Sequence, residues 1–448
     1  MSEVFQPEKH DVGIVHFGPG AFHRAHQAVY TEDAMRASGG DWRIEAVSMQ
    51  STATADALNA QDGKYTLVTR GETGTSFRQI ASIAKVHAAS RDVVPIKRAL
   101  QRPETRIVSM TITEKGYRPN TPLMGLIVEA LAHRFENAIA PFSVMSCDNL
   151  TENGAVVRNA VLETARALKP DQIDLILEHV AFPSSMVDRI TPASTQALIH
   201  EVAAETGAKD RVPVETEAFS QWVIEERFSN GRPGWEAAGA LLVPEVAPYE
   251  KMKLRMLNGA HSMLAYAGYL SGKTFVRDVM ADPHLAALVD HHMQAAAQTL
   301  DPIPGVDFSD YRNALLARFR NPYLAHETYQ IAMDGSQKLP QRIFAPAVDA
   351  IVREQDVSAF AFATAAWLQY THGQREDGST HDLRDPREAE LTALPPAPAE
   401  RFDAMCRMDG LMPDALSGHA RFRSNVIEHL ENMSQIGMRE TVRKLAFG

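Results

Sequence analysis

Up to about residue 245, short runs rich in β-branched and apolar residues alternate with longer stretches of helical periodicity. The runs are "VGIVHF" (12–17), "WRIEAVSM" (42–49), "RIVSMTI" (106–112), "FSVMSCDN" (142–149) and "HVAFPSSMVDRI" (179–190). This rhythm is that of βαβ units around a parallel sheet, and it predicts an N-terminal doubly wound α/β domain. Several runs end in polar residues. Ligands of an open α/β sheet sit at the carboxyl ends of its strands, so "TEKGY", "CDN" and "VDR" are expected to rim one crevice. From about residue 250 the pattern turns to long helical periodicities, as in "EKMKLRMLNGAHSMLAYAGYL" and "FAFATAAWLQYTHG", which predict a second, mainly α-helical domain. The stretch "VPEVAPYE" carries the boundary, giving domains of 1–244 and 245–448, and "LPPAPAE" (394–400) reads as a rigid connector.

Composition narrows the functional classes. The 448 residues are 45% hydrophobic and 23% charged, enough to bury large cores. A net charge of −11 argues against a broad basic surface, so no nucleic-acid partner is expected. Cys147 and Cys406 stand far apart with no CxxC, which fits a reducing compartment and disfavours both a disulfide scaffold and a thiolate zinc site. The polar start and the shortness of the apolar runs predict a cytoplasmic protein without a membrane partner.

Two stretches carry chemistry. In "IVHFGPGAFHRAHQ" (14–27), Gly18 and Gly20 directly follow a predicted strand, where backbone N–H groups can approach a pyrophosphate at a helix N-terminus. His23 stands where a third glycine is usual, and the second predicted strand ends "SMQSTA" without the carboxylate that would hold a ribose 2′-hydroxyl, so NAD and NADP are not distinguished. A plain strand-to-helix turn remains an alternative. A metal site on His23 and His26 lacks a third ligand, and "DHH" (290–292) reads as a solvated helix face.

The second stretch is "YEKMKLRMLNGAHS" (249–262). At about 100° per residue, Lys253, Asn258, His261 and Glu250 share an arc of roughly 140°. This is either a solvated stripe or a catalytic set. An Asn-Gly pair in mid-helix has poor propensity and asks for a reason. When hydride leaves a carbinol carbon, the hydroxyl proton must pass to a base. A lysine serves if burial or a cationic neighbour favours its neutral amine, and an asparagine amide can hold the partial charge on oxygen.

From "GPGAFHRAHQ" through "TITEKGY", "VMSCDN", "MVDRITP", "QWVIEERF", "NGRP" and "KLRMLNGAHS" to "MDGSQKLPQR", the chain resembles the long-chain polyol and hexuronate dehydrogenases, the group of mannitol 2-dehydrogenase and fructuronate reductase. The resemblance implies a Rossmann-type N-terminal domain, a helical C-terminal domain and metal-independent hydride transfer with NAD(H). It makes the loop with Gly18, Gly20, Ala21, Phe22 and His23 the cofactor loop. Lys253 becomes the general acid/base, Asn258 and Asn149 the amides that hold the reacting oxygen, His261 the substrate orienter, and Glu250 a gate or proton relay. Asp188 would sit beside the nicotinamide. Lys338, Arg255 and Arg342 are candidates for a substrate hydroxyl or carboxylate, or else surface charges. Alternatively, Asn149 would cap the helix after "LTENG" and Asp188 would pair with Arg189. The segments "TITEKGY", "KLRMLNGAHS" and "YQIAMDGSQKLPQR" are more similar to the fructuronate reductase branch, which implies D-mannonate and D-fructuronate as substrates, with D-mannitol and D-fructose as the runner-up. Such enzymes can work as monomers or small homo-oligomers. A sugar-acid sensor without turnover is the alternative from another class.

Overall fold

A computed structural model describes residues 5–71, 74–323 and 326–445, and the chain divides between Ala247 and Pro248 into two compact units. Among the described residues the first contains eleven strands: β1 (Val12–Phe17), β2 (Arg43–Ser48), β3 (Tyr65–Gly71), β4 (Gly74–Ile80), β5 (Ile83–Ala88), β6 (Ile107–Met110), β7 (Ser143–Ser146), β8 (Ser185–Asp188), β9 (Val214–Glu217), β10 (Gln221–Glu225) and β11 (Leu241–Val243). Five of them form a parallel sheet in the order β5-β2-β1-β6-β7.

Period-2 alternation explains why both faces of this sheet are covered. Ile14, Ile44, Ala46, Ile107 and Met145 enter one core, with Ala25, Ala28, Trp222 and Trp235. Val15, Phe17, Val47, Val108, Met110 and Val144 enter the other, against Leu123, Met124, Ile127 and Leu131 of the helix Pro122–Glu136. The strand order reverses between β1 and β6. That is the topological switch point, where the carboxyl ends of neighbouring strands open a crevice.

The fifth run predicted from sequence does not continue this sheet. Ala181 still accepts from Val144 N of β7 at 3.0 Å, but Pro183 follows and has no N–H to extend a ladder. The chain turns away, and β8 pairs antiparallel with β10 in a separate sheet, β11-β10-β8. A third sheet, β4-β3-β9, completes the unit.

The second unit is helical. Every residue of Ala260–Leu270 is buried, as is nearly all of Ser358–Tyr370, because both helices are apolar around their whole circumference and so form the centre of a core. Around them lie Pro283–Gln298, Phe308–Phe319 and Ala420–Lys444, the last kinked at Gly437, where φ is 81°. Among the described residues, no helix is long and apolar enough to cross a membrane.

Candidate active site

The turn after β1 is built by two glycines with different jobs. Gly18 has φ +94°, and a β-carbon there would stand 1.9 Å from the Thr111 carbonyl oxygen just beyond β6. The fold itself requires this glycine. Gly20 has φ −70°, and the nearest atom to a β-carbon would be the Gly18 oxygen at 3.9 Å. The protein would accept a side chain there, so the open cradle at Gly20 has room for something outside the chain. A short helix, Ala21–Ala25, starts at once, breaks at His26 and resumes as Gln27–Ser38. Its first-turn amides have no acceptor within the helix. Cradle and amides, set at the switch point, fit a dinucleotide pyrophosphate.

The side chains of "FHRAH" support this turn from beneath. His23 is fully buried and its ring stacks on that of His16 at 3.5 Å between centroids. The cofactor-loop reading of His23 is therefore corrected at the atomic level: its imidazole lies inside the unit, leaving only its backbone to a ligand. Burial, with the neighbouring His16 ring and Arg24 cation adding to it, lowers the His23 pKa well below the ordinary value, and burial lowers that of His16 to about 3. Both stay neutral. His16 Nε2 lies 3.2 Å from the Gly18 carbonyl oxygen, which also accepts from Thr111 Oγ1 at 2.6 Å. Arg24 donates to the carbonyls of Pro19 and Val212, so its charge too faces inward. His16 and Thr111 were not singled out in the sequence, because a histidine in a buried strand reads as core.

Asp148 joins two of the expected rim segments. Its Oδ2 accepts from Ile112 N at 2.7 Å and from the Tyr117 hydroxyl at 2.5 Å, and burial raises its pKa despite those bonds. The next residue, Asn149, is exposed. It is not the cap of the following helix: Asn153–Leu168 is preceded by Glu152 at φ +50°. Asn153 ties in the third segment, donating to the carbonyls of Asp148 at 3.0 Å and Ser185 at 2.7 Å. Asp188, buried at the end of β8, pairs in register with Gln221, whose carbonyl lies 3.1 Å from His26 Nε2. Arg189 donates to the carbonyls of Ala25 and Glu217, fastening this strand end to the helix that follows the glycine turn.

In the second unit, the helix beginning at Ala247 runs continuously to Leu270, but Lys253–Gly259 is wound as a π-helix. Lys253 is 6% exposed and His261 9%, with Asn258 and Glu250 half-buried. This overturns the solvated stripe. His261 stacks on Phe319 at 4.3 Å and meets His326 edge-on at 5.3 Å. Burial, then the neighbouring His326 ring and the charges of Arg318, Arg342 and Lys253, hold its pKa well below the ordinary value, so the imidazole is neutral. Arg342 donates to Ser262 Oγ at 3.2 Å. Lys338 donates to the Met333 carbonyl at 2.6 Å and lies 3.6 Å from Asp334; burial and then Arg342 lower its pKa.

Two expectations change here. Arg255 is neither a surface charge nor positioned as a clamp: it is buried, and donates to Thr299 at 2.9 and 2.8 Å and to Asp349 at 2.6 Å, stapling its helix to two others. His292 of "DHH" is buried against Phe360 rather than solvated. Arg318, Phe319 and His326 around His261 escaped the sequence reading, since only the fold brings them to that ring. Among the described residues, no group of three or more His, Cys, Asp or Glu could hold a metal ion.

Comparison with known proteins agrees over nearly the whole chain. The mannitol dehydrogenase Rossmann domain matches residues 12–237 and the mannitol dehydrogenase C-terminal domain residues 245–434. D-mannonate oxidoreductase of Escherichia coli K12 is 40% identical over 96% of this chain and 95% of its own length. Mannitol 2-dehydrogenase of Phaeosphaeria nodorum is 38% identical over 99% of this chain and 83% of its own. The solved structure of Pseudomonas fluorescens mannitol 2-dehydrogenase, in a ternary complex with NAD and D-mannitol, matches with a TM-score of 0.82 at 34% identity, over 98% of this chain and 95% of that one. With both domains matched in order, the chain belongs to the mannitol dehydrogenase family.

Proposed function

We propose that this protein is an NAD-dependent dehydrogenase that interconverts D-mannonate and D-fructuronate. The observation that carries the sugar-acid substrate is the pair of cations Arg342 and Arg318, whose charges act on the buried neutral His261, with Lys338 beside Arg342. Such a set suits a ligand that brings a carboxylate.

Residues of the first unit would hold the cofactor: the open backbone at Gly20 and the amides of Ala21 and Phe22 would meet the pyrophosphate, His23 would support them from below, and Asp188 would stand near the nicotinamide. Bound NAD supplies the acceptor for the substrate's hydride. The chain's own part is the proton. Lys253 takes it from the reacting hydroxyl as the carbinol becomes a carbonyl, and returns it in reduction. The side-chain amides of Asn258 and Asn149 donate to that oxygen while its charge develops. His261, neutral, offers one donor and one acceptor to a neighbouring hydroxyl and so fixes which carbon reacts. Glu250 relays the proton toward solvent. Arg342 and Lys338 meet the carboxylate, whereas Arg255 serves the helix packing.

A second reading, D-mannitol to D-fructose, is favoured by the likeness to a mannitol 2-dehydrogenase solved with NAD and D-mannitol. Steady-state turnover on D-mannonate and D-mannitol, each with NAD and NADP, tests both. A higher kcat/KM for mannonate supports the sugar-acid reading, and a higher value for mannitol replaces it. Binding of NADH and fructuronate without oxidation would make the protein a sensor instead.

A further inference from the structure

The helix carrying Lys253 and Asn258 leaves α geometry over just the residues that matter. In an α-helix at about 100° per residue, positions five apart point roughly 140° away from one another. In a π-helix the hydrogen bond itself spans five residues, so positions i and i+5 come round to the same face. Lys253 and Asn258 are such a pair, both within the Lys253–Gly259 segment.

A second π-helical segment, Pro340–Phe344, packs against the first. The contact is made at Gly259: a β-carbon there would lie 2.8 Å from the Arg342 carbonyl oxygen and 3.4 Å from His292 Nε2. Gly259 has φ −63°, which any residue adopts; glycine is needed for space rather than for backbone freedom. The opposing segment begins with Pro340, which has no N–H and resists α winding, and it carries Arg342, which reaches back to Ser262. Each wide turn is thus wedged in place by the other.

We propose that Gly259 is a positioning residue: the gap left by its missing side chain lets Pro340–Phe344 clamp the Lys253–Gly259 segment in its wide turn, which sets the Lys253 amine over the Asn258 amide. The inference rests on the proton-transfer role given to those two residues. Without the clamp the segment rewinds toward α spacing and the amine and amide swing apart.

The test uses the full-length enzyme with whichever of D-mannonate and D-mannitol the wild type turns over. Gly259→Ala is expected to lower kcat by roughly 10- to 100-fold, to displace the pH profile of kcat, and to raise the primary deuterium isotope effect as chemistry becomes limiting. NADH affinity, read by fluorescence, should stay within about twofold. Pro340→Ala restores an N–H and frees the opposing segment to wind as α, so it should show the same signature more weakly; it also decides the matter if Gly259→Ala fails to fold. Amide exchange over 253–263 should speed up in both. An unchanged kcat, pH profile and isotope effect in the folded variants overturn the clamp alone. A Lys253→Ala enzyme that keeps its turnover overturns the catalytic reading, and the clamp with it.

Discussion

In the turn at residues 16–26 every ionisable side chain faces inward, and the surface offered to a ligand is backbone. His16 and His23 stack, buried and neutral, while Arg24 is held by two carbonyls. Along the helix from Ala247 to Leu270 the reverse holds. In the proposed reaction the side chains carry the chemistry, and the buried imidazole of His261 is kept neutral by burial with the charges of Arg318 and Arg342 adding to it. The difference follows from the ligands proposed for each. A pyrophosphate is recognised by several weak, well-placed N–H donors and needs no group that changes charge, whereas a hydroxyl that must lose its proton needs a group that takes it. One region should therefore be sensitive to added atoms and the other to deleted ones.

The largest expected effect is a deletion. Lys253→Ala should lower kcat by about 10³-fold, the scale of a lost general base, with NADH affinity nearly unchanged; single-turnover kinetics beside a fluorescence titration would show it. An added methyl at Gly18 comes next. It would meet the Thr111 carbonyl oxygen at 1.9 Å in a left-handed conformation, so Gly18→Ala should destabilise the first unit by about 3 kcal/mol or more, seen as an earlier urea midpoint and lost cofactor binding.

Acid should weaken both units alike. Burial lowers the pKa of His16 to about 3 and of His292 to about 4, and drives those of His23 and His261 well down. The unfolded chain protonates these rings near pH 6.5 while the native chain keeps them neutral. Their contribution is therefore complete above that pH and falls as the pH drops toward 4, by up to about 1.4 kcal/mol per pH unit for each group. Unfolding at pH 5 should take up protons, measurable as a falling urea midpoint between pH 7 and 5. A flat midpoint would mean that the rings titrate in the native state as they do in the unfolded chain.

Much of this was legible in the sequence, for identifiable reasons. β1, β2, β6 and β7 stood out because a parallel sheet buried on both faces leaves continuous apolar runs. The β8 segment was seen as a strand but placed in the wrong sheet, since Pro183 marks a break without saying where the chain goes next. The helical face with Lys253 and His261 showed in the periodicity. Its π winding did not, because a fixed 100° step cannot register a change of pitch. Arg255 looked like a candidate clamp until Thr299 and Asp349, contributed by other helices, were seen to hold it. For the same reason the surroundings of His261 were invisible: Arg318, Phe319 and His326 lie far from it along the chain.

The division of labour is tested most directly by measuring NADH affinity and the first-order rate of hydride transfer side by side in Gly20→Ala and Lys253→Ala. At Gly20 the fold leaves a methyl room, its nearest neighbour being the Gly18 oxygen at 3.9 Å, so thermal stability should hold. Cofactor affinity should fall by roughly tenfold while transfer at saturation persists, and Lys253→Ala should show the opposite split. If Gly20→Ala binds NADH as the wild type does, or if both quantities fall together in both variants, the assignment of binding to backbone and of chemistry to side chains is wrong.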